Sequence, residues 1–243
     1  WTEGVACRGA DCVLPVTNVL ADHVRARGVP DARIQVIANG INRAHFAQAP
    51  TRNEAKVRVG LQGRLVLGFT GFVRDWHGVD RVVDWMATSE APGHTHLLVV
   101  GDGPVRESLE QQAQRLGLAG RVSFTGVIHR DQVPAHVAAF DVALQPAVTP
   151  YASPLKLMEY LVLGKAILAP ATPNLQEVLT HEDNALLFDE SAPCGMQDAL
   201  TRLCRDDALR ARLAASAEDT VTRQDLTWLG NARRVVHLVE RLA

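Results

Sequence analysis

Some familiar signatures are missing from this sequence: an Asp-x-Asp pair, a Cys-x2-Cys pair, a basic run interleaved with aromatics, and any apolar stretch near the length of a membrane span. Each absence removes a class of function. A transmembrane helix needs about 18 consecutive apolar residues, so no span is expected. Lys and Arg number 25 against 27 Asp and Glu and are scattered, which leaves no electrostatic case for nucleic acid. The cysteines Cys7, Cys12, Cys194 and Cys204 fit neither zinc nor disulfide spacing, and are expected to be reduced bystanders in a cytoplasmic protein. Without Asp-x-Asp or a His/Asp cluster there is no evident seat for a divalent ion on a diphosphate, so no metal is expected. The opening Trp1-Thr-Glu-Gly-Val5 carries neither an initiator Met nor a charged leader, which suggests a chain cut from something longer.

What the sequence does contain is rhythm. At 243 residues and 47% hydrophobic it holds enough apolar material for a substantial core. Apolar runs at Leu65–Thr70, His96–Val100, Val122–Thr125, Asp141–Leu144, Ala166–Ala169 and Ala185–Phe188 alternate with helical stretches from about Val79, Val105, Gln132, Leu155 and Leu175, and helices are expected to the end. Continuously apolar strands separated by helices imply an α/β fold, a Rossmann-like parallel sheet covered on both faces. Such sheets bind ligands beyond the carboxyl ends of their strands. Residues 1–47 read differently: two strands, Asp11–Val16 and Arg33–Ala38, flank one helix from Thr17 to about Gly28, too little to bury a core of its own. The polar segment 48–63, containing Pro50, reads as a linker, 64–222 as the main domain and 223–243 as a terminal helix.

The most telling stretch runs from Tyr151 to Pro170. A Ser153-Pro154 loop opens a helix, Glu159 follows in its first turn, Gly164 stops it, and an apolar strand comes next. Pro154 suits the first helical position, where its missing N–H would be unbonded anyway. Ser153 then reads as the N-cap, and the free amides with the positive helix end favour an anion. Lys156 adds a full charge. Lys156 and Glu159 are three residues apart on one helix face, so the ammonium can pair with phosphate while the carboxylate accepts sugar hydroxyls. A nucleoside diphosphate offers both.

These residues resemble the donor-site motif of the retaining family-4 (group 1) glycosyltransferases, in the form S-P-x-K-x-x-E-Y. Val36–Asn42, Gly68–Asp80, Leu98–Pro104, Val122–Val127 and Asn174–Val178 resemble further marks of that family, in the expected order over roughly residues 10 to 190. The resemblance implies the C-terminal, donor-binding half of a two-domain GT-B enzyme. An enzyme of that kind would transfer a sugar from a nucleotide-sugar to a hydroxyl acceptor with retention, in polysaccharide or glycoconjugate biosynthesis. Residues 1–47 would then be the tail of an acceptor-binding domain, onto which the last helix returns. That missing half would hold the acceptor and make any peripheral membrane contact. The expected ligand contacts are Gly71, Gly101, Gly126, Val127, Tyr151, Ser153, Pro154, Leu155, Lys156 and Glu159, with Gly126–Ile128 holding the base through its backbone. Phe72 and His77 stand where the family has its diphosphate-binding Arg and Lys. Lys156, with Arg74 or a protonated His77, is therefore expected to stabilise the leaving phosphate, the catalytic task. Tyr151 stands where the commoner motif has its first Glu, which the resemblance implies would meet the donor sugar's hydroxyls. Glu177 reads as a turn cap or a sugar contact.

Two other readings stay open. One is a nucleotide-sugar epimerase or hydrolase on the same scaffold, which needs paired acid and base carboxylates. The other is a degenerate domain that binds nucleotide-sugar or scaffolds a partner without turnover, suggested by Phe72, His77 and Tyr151.

Overall fold

The computed structural model describes residues 2–242. Six parallel strands, β1 (Leu65–Thr70), β2 (Thr95–Val100), β3 (Val122–Phe124), β4 (Val142–Leu144), β5 (Ala166–Pro170) and β6 (Leu186–Phe188), form one sheet in the order β3-β2-β1-β4-β5-β6. This is the Rossmann-like α/β architecture expected. The strand order reverses between β1 and β4, and that reversal opens a crevice at their carboxyl ends.

Helices lie along the chain as α1 (Thr2–Gly9), α2 (Asn18–Arg25), α3 (Arg43–Phe46), α4 (Arg52–Arg58), α5 (Val79–Met86) and α6 (Arg106–Arg115). The remainder are α7 (Val133–Ala138), α8 (Leu155–Val162), α9 (Pro173–Gln176), α10 (Gly195–Arg205), α11 (Asp207–Arg223) and α12 (Trp228–Leu242). The sheet is apolar on both faces. On one, Leu67, Phe69, Leu97, Val99 and Leu144 pack with Val82, Val83, Trp85 and Met86 of α5. On the other, Val66, Leu98, Ala143 and Ile167 pack with Phe140 and with Leu157, Met158, Tyr160 and Leu161 of α8. Each fully buried large side chain contributes about 2 kcal/mol of transfer free energy, so the face α8 presents to the sheet anchors the helix that carries Lys156 and Glu159.

Two expectations about the amino-terminal third are corrected. The paired strands of residues 1–47 reduce to a single parallel bridge, Val13 to Ile34. The hydrogen bonds Val13 N to Arg33 O, Gln35 N to Val13 O and Ile37 N to Pro15 O hold it. With no further strand beside them, two short segments make a few bonds and stop. The helix between them is shorter than expected, Asn18–Arg25, with Thr17 Oγ1 accepting from Leu20 N as its cap. The polar segment 48–63 is not a plain linker, because it contains α4, opened by a capping box in which Thr51 and Glu54 satisfy each other's amides. Ala55 of that helix is buried with Ala138 and Ala139. Lys56 Nζ sits 2.6 Å from Asp141 Oδ2, which also accepts from Val66 N at 2.7 Å. The Thr-x-x-Glu signature was present in the sequence; the proline nearby masked it.

The start of the terminal helix is tied to residues 38–41. Ile41 bridges Thr227, and the buried Asn231 donates from Nδ2 to Ala38 O at 2.8 Å. Leu229 in the first turn of α12, and Val236, Val239 and Leu242 farther along, are exposed.

Candidate functional site

Helix α8 begins one residue later than the sequence suggested. Pro154, with φ −66° and ψ 119°, is its N-cap, not its first helical residue, and makes no side-chain cap. Ser153 therefore lies outside the helix; its carbonyl accepts from Asn39 Nδ2 at 3.0 Å. The proline ring holds φ helical, but its extended ψ keeps it outside the first turn. Leu155 and Lys156 become the first two helical residues, whose amides have no acceptor within the helix. Glu159 accordingly sits in the second turn, too far along for the helix dipole to account for it.

Lys156 and Glu159 line one cleft of about 420 Å³, together with Thr70, Gly71, Trp76, His77, Gln145 and the loop residues Val148, Thr149 and Ala152. The cleft lies where β1 and β4 end, at the strand-order reversal. Four buried polar atoms in it have no hydrogen-bond partner: Thr70 Oγ1, Gln145 Oε1, Lys156 Nζ and Glu159 Oε2. Each such group ordinarily costs on the order of 1–3 kcal/mol, so a cluster of four marks a surface shaped for something polar.

Desolvation dominates the electrostatics. Burial lowers the Lys156 ammonium from its ordinary value to about 7, against a smaller opposing pull from Glu159. Burial raises the Glu159 carboxyl to about 7, opposed by Lys156 and Arg130. The Lys156 side chain as a whole is only partly buried, but its Nζ is out of solvent and rests 3.7 Å from the centre of the Phe69 ring. Lys165, in the same motif, is also lowered to about 7 by burial, but its Nζ donates to Ala138 O at 2.7 Å. One buried lysine is matched by the protein and the other is not.

His77 is neutral, contrary to the expectation of a protonated donor. Its Nδ1 accepts from Arg74 N at 3.0 Å, which leaves the proton on Nε2. Burial first, then the charges of Lys156 and Arg74, lower it to about 4. The ring packs edge-on against Phe69, with centroids 5.1 Å apart, and lies 5.9 Å from Trp76. Arg74 is not among the cleft-lining residues. Its guanidinium lies 4.9 Å from the ring centres of both Phe72 and Trp76, and the residue borders a neighbouring depression.

The expected glycines mark backbone contacts. Gly71, at φ 126°, brings its α-carbon against Lys156: a Cβ there would lie 3.6 Å from Lys156 Cε. Gly101, at φ 137°, is pressed against the same loop, since a Cβ would fall 2.2 Å from Gly71 O. Gly126 follows β3, its carbonyl accepting from Thr125 Oγ1, and Val127 is exposed. Neither lines the cleft. Tyr151 is also absent from the lining and is 62% exposed. Glu177 settles on a structural role, its carboxylate accepting from Asn18 N at 2.8 Å and Asn18 Nδ2 at 2.9 Å at the start of α2.

Sequence reasoning missed Thr70 and Gln145. Both are polar residues at the carboxyl ends of apolar strands, Thr70 the last of β1 and Gln145 the first after β4, and that was the available signal. A larger depression of about 590 Å³ lies at the opposite ends of β1 and β4, but its buried charges, Lys56 and Asp141, are paired with each other.

The fold and the cleft define an α/β domain with a polar ligand crevice at its switch point. The family model described as "Glycosyl transferases group 1" matches residues 51–220, and the chain belongs to that family. It is 32% identical over 233 residues to the 2-deoxystreptamine N-acetyl-D-glucosaminyltransferase of Streptomyces fradiae, covering 91% of this chain and 54% of the relative. To the lipopolysaccharide core biosynthesis glycosyltransferase LpsD of Rhizobium meliloti it is 33% identical over 208 residues, 84% of this chain and 52% of the relative. The chain thus spans about half the length of these curated relatives. Its fold matches Anabaena HepE, solved in complex with UDP, with a TM-score of 0.86 at 20% identity over 97% of this chain and 65% of that one.

Proposed function

We propose that this chain is the donor-binding part of a retaining family-4 glycosyltransferase, which moves a sugar from a nucleotide-sugar to a hydroxyl acceptor. The observation that carries the reading is the set of four unpartnered polar atoms in the switch-point cleft. In this reading the diphosphate lies at the Leu155 and Lys156 amides and the Lys156 ammonium, while Glu159 accepts the ribose hydroxyls. The Lys156 charge grows in value as the sugar–phosphate bond breaks and negative charge collects on the leaving oxygen. His77 contributes a neutral Nε2–H donor. The same phosphate then takes the acceptor's proton as the acceptor oxygen bonds to the anomeric carbon from the face being vacated. The positive charge comes from the protein, so no metal is assigned.

The acceptor is proposed to be held by another domain, a reading supported by the span of the relatives. A cytoplasmic setting is proposed alongside it, supported by the four unpaired cysteines; among the described residues no helix is long and apolar enough to cross a membrane. A non-catalytic binding module is the second reading, favoured by the neutral His77 and by Arg74 lying outside the cleft.

Calorimetric titration with UDP, GDP and ADP tests the site. One of them is expected to bind wild type and to bind Lys156→Ala far more weakly. No binding by any of the three sinks the donor-site reading. With the acceptor domain present, an anomeric coupling in the product opposite to the donor's would refute retention, and binding without turnover would favour the second reading.

A further inference from the structure

We propose that Gln145, with Thr70 beside it, is a specificity-determining subsite that accepts a hydroxyl of the transferred sugar; the inference rests on the donor-binding reading above. Gln145 directly follows β4 and is 1% exposed. Its orientation is fixed, because Nε2 donates to Ala147 O at 2.5 Å, and this leaves Oε1 with no partner in the protein. The register pairs Leu67 with Val142 and Gly68 with Ala143, so continuing it by two residues sets Thr70 alongside Gln145 across the strand-order reversal. Thr70 is itself 7% exposed, and its Oγ1 is also unpartnered. Both residues line the cleft that holds Lys156 and Glu159.

The chemistry of these atoms selects the ligand group. A carboxamide oxygen only accepts, so it is mismatched with a phosphate, which at neutral pH also offers only acceptors. It requires an O–H or N–H. Glu159 already meets the ribose hydroxyls in the donor reading, which leaves the hydroxyls of the transferred sugar. The loop that Gln145 opens, through Thr149 and Ala152, lines the same cleft, whereas Tyr151, standing where the resemblance placed the sugar-binding acid, faces solvent. The acceptor missing from position 151 is supplied from the cleft floor. Thr70, able to donate and accept, completes a pair that suits one sugar hydroxyl, itself both donor and acceptor.

The experiment measures, by calorimetry, Kd for UDP and GDP and for UDP-glucose, UDP-N-acetylglucosamine and GDP-mannose, then repeats the best-binding matched pair on variants. Gln145→Met, similar in shape without the amide oxygen, is expected to weaken the sugar nucleotide on the order of tenfold while leaving its nucleoside diphosphate within about twofold. Thr70→Val is expected to do the same to a smaller degree. If the variants weaken both ligands equally, or neither, the subsite proposal falls while donor binding stands. The neither case means an ordered water satisfies Gln145. If wild type binds none of the nucleotides, the donor reading fails and this inference fails with it. Should Gln145→Met not fold, monodeoxy analogues of the same sugar nucleotide decide. One position is expected to bind wild type about tenfold more weakly, and that penalty is expected to shrink in Thr70→Val; no sensitive position, or a penalty unchanged in Thr70→Val, overturns the proposal.

Discussion

The ammonium of Lys156 lies 3.7 Å from the centre of the Phe69 ring, its nearest compensation inside the protein being a π face, not an anion. A ring quadrupole offsets part of the lost hydration and leaves the charge available to a ligand. Lys156→Ala is therefore expected to cost about 2 kcal/mol in nucleoside-diphosphate affinity, roughly a 30-fold rise in Kd. Calorimetry showing unchanged affinity would remove Lys156 from the site.

Lys156 and Glu159 make stability depend on pH in opposite directions. Lys156 is lowered from 10.5 to about 7, so the unfolded chain binds its proton more tightly. Its cost is full below about 7 and fades as pH rises toward the unfolded value. Glu159 is raised from 4.5 to about 7, so its cost is absent at low pH and full above about 7. Lys156→Met is expected to raise the melting temperature most at about pH 6, and Glu159→Gln most at about pH 8. Melting curves across that range check this; a stabilisation independent of pH in both variants contradicts it.

Glu159 is assigned to the ribose, and the assignment has a ligand-side test. A 2′,3′-dideoxy nucleoside diphosphate is expected to bind wild type at least about tenfold more weakly than the ribonucleotide, because a buried carboxylate is then left without its donors. Glu159→Gln should narrow that gap. Equal binding of the two nucleotides by wild type removes the role.

Gly101→Ala is expected to abolish nucleotide binding or folding. The added Cβ would fall 2.2 Å from Gly71 O, at a φ of 137° that L residues rarely adopt. Displacing Gly71 would disturb the wall of the Lys156 pocket. A variant with wild-type melting temperature and affinity would show that the two loops yield more freely than their contact implies.

Glu177→Ala removes a carboxylate that accepts from both Asn18 nitrogens at the start of α2. Loss of such a cap costs about 1 kcal/mol. Hydrogen exchange should show faster exchange confined to residues 18–25, with nucleotide affinity unchanged. Weaker binding of a sugar nucleotide, with its nucleoside diphosphate unaffected, would instead return Glu177 to the sugar-contact role.

Five of the six strands are buried along their whole length and read as apolar runs, whereas the half-buried β3, interrupted by Ser123, was legible from its place in the strand-helix rhythm. Lys156 and Glu159 were singled out because their three-residue spacing on one helix face fits the S-P-x-K-x-x-E-Y form, since an acid in an early helical turn has an ordinary structural use of its own. Helix starts were harder to place. Pro154 satisfies the rules for either side of the boundary, and only its ψ distinguishes them. The protonation of His77 was not readable, because it depends first on burial, and then on a lysine 79 positions along the chain and an amide three residues away. Gln145 and Thr70 escaped notice for another reason. Each is one polar residue at a strand end, unremarkable until the register shows that the two ends adjoin.

The position of Trp76 in the cleft wall has an optical consequence. Its indole is half exposed beside Lys156 and His77, with the Arg74 guanidinium over its ring, whereas Trp85 is sealed in the core at 2% exposure. Occupancy of the cleft would change the polarity and the quenching around one of the chain's four indoles, with the core Trp85 as an internal standard once Trp1 and Trp228 are replaced by Phe. The chain thus carries its own fluorescent gauge of what enters the crevice, readable without label or chromogenic substrate.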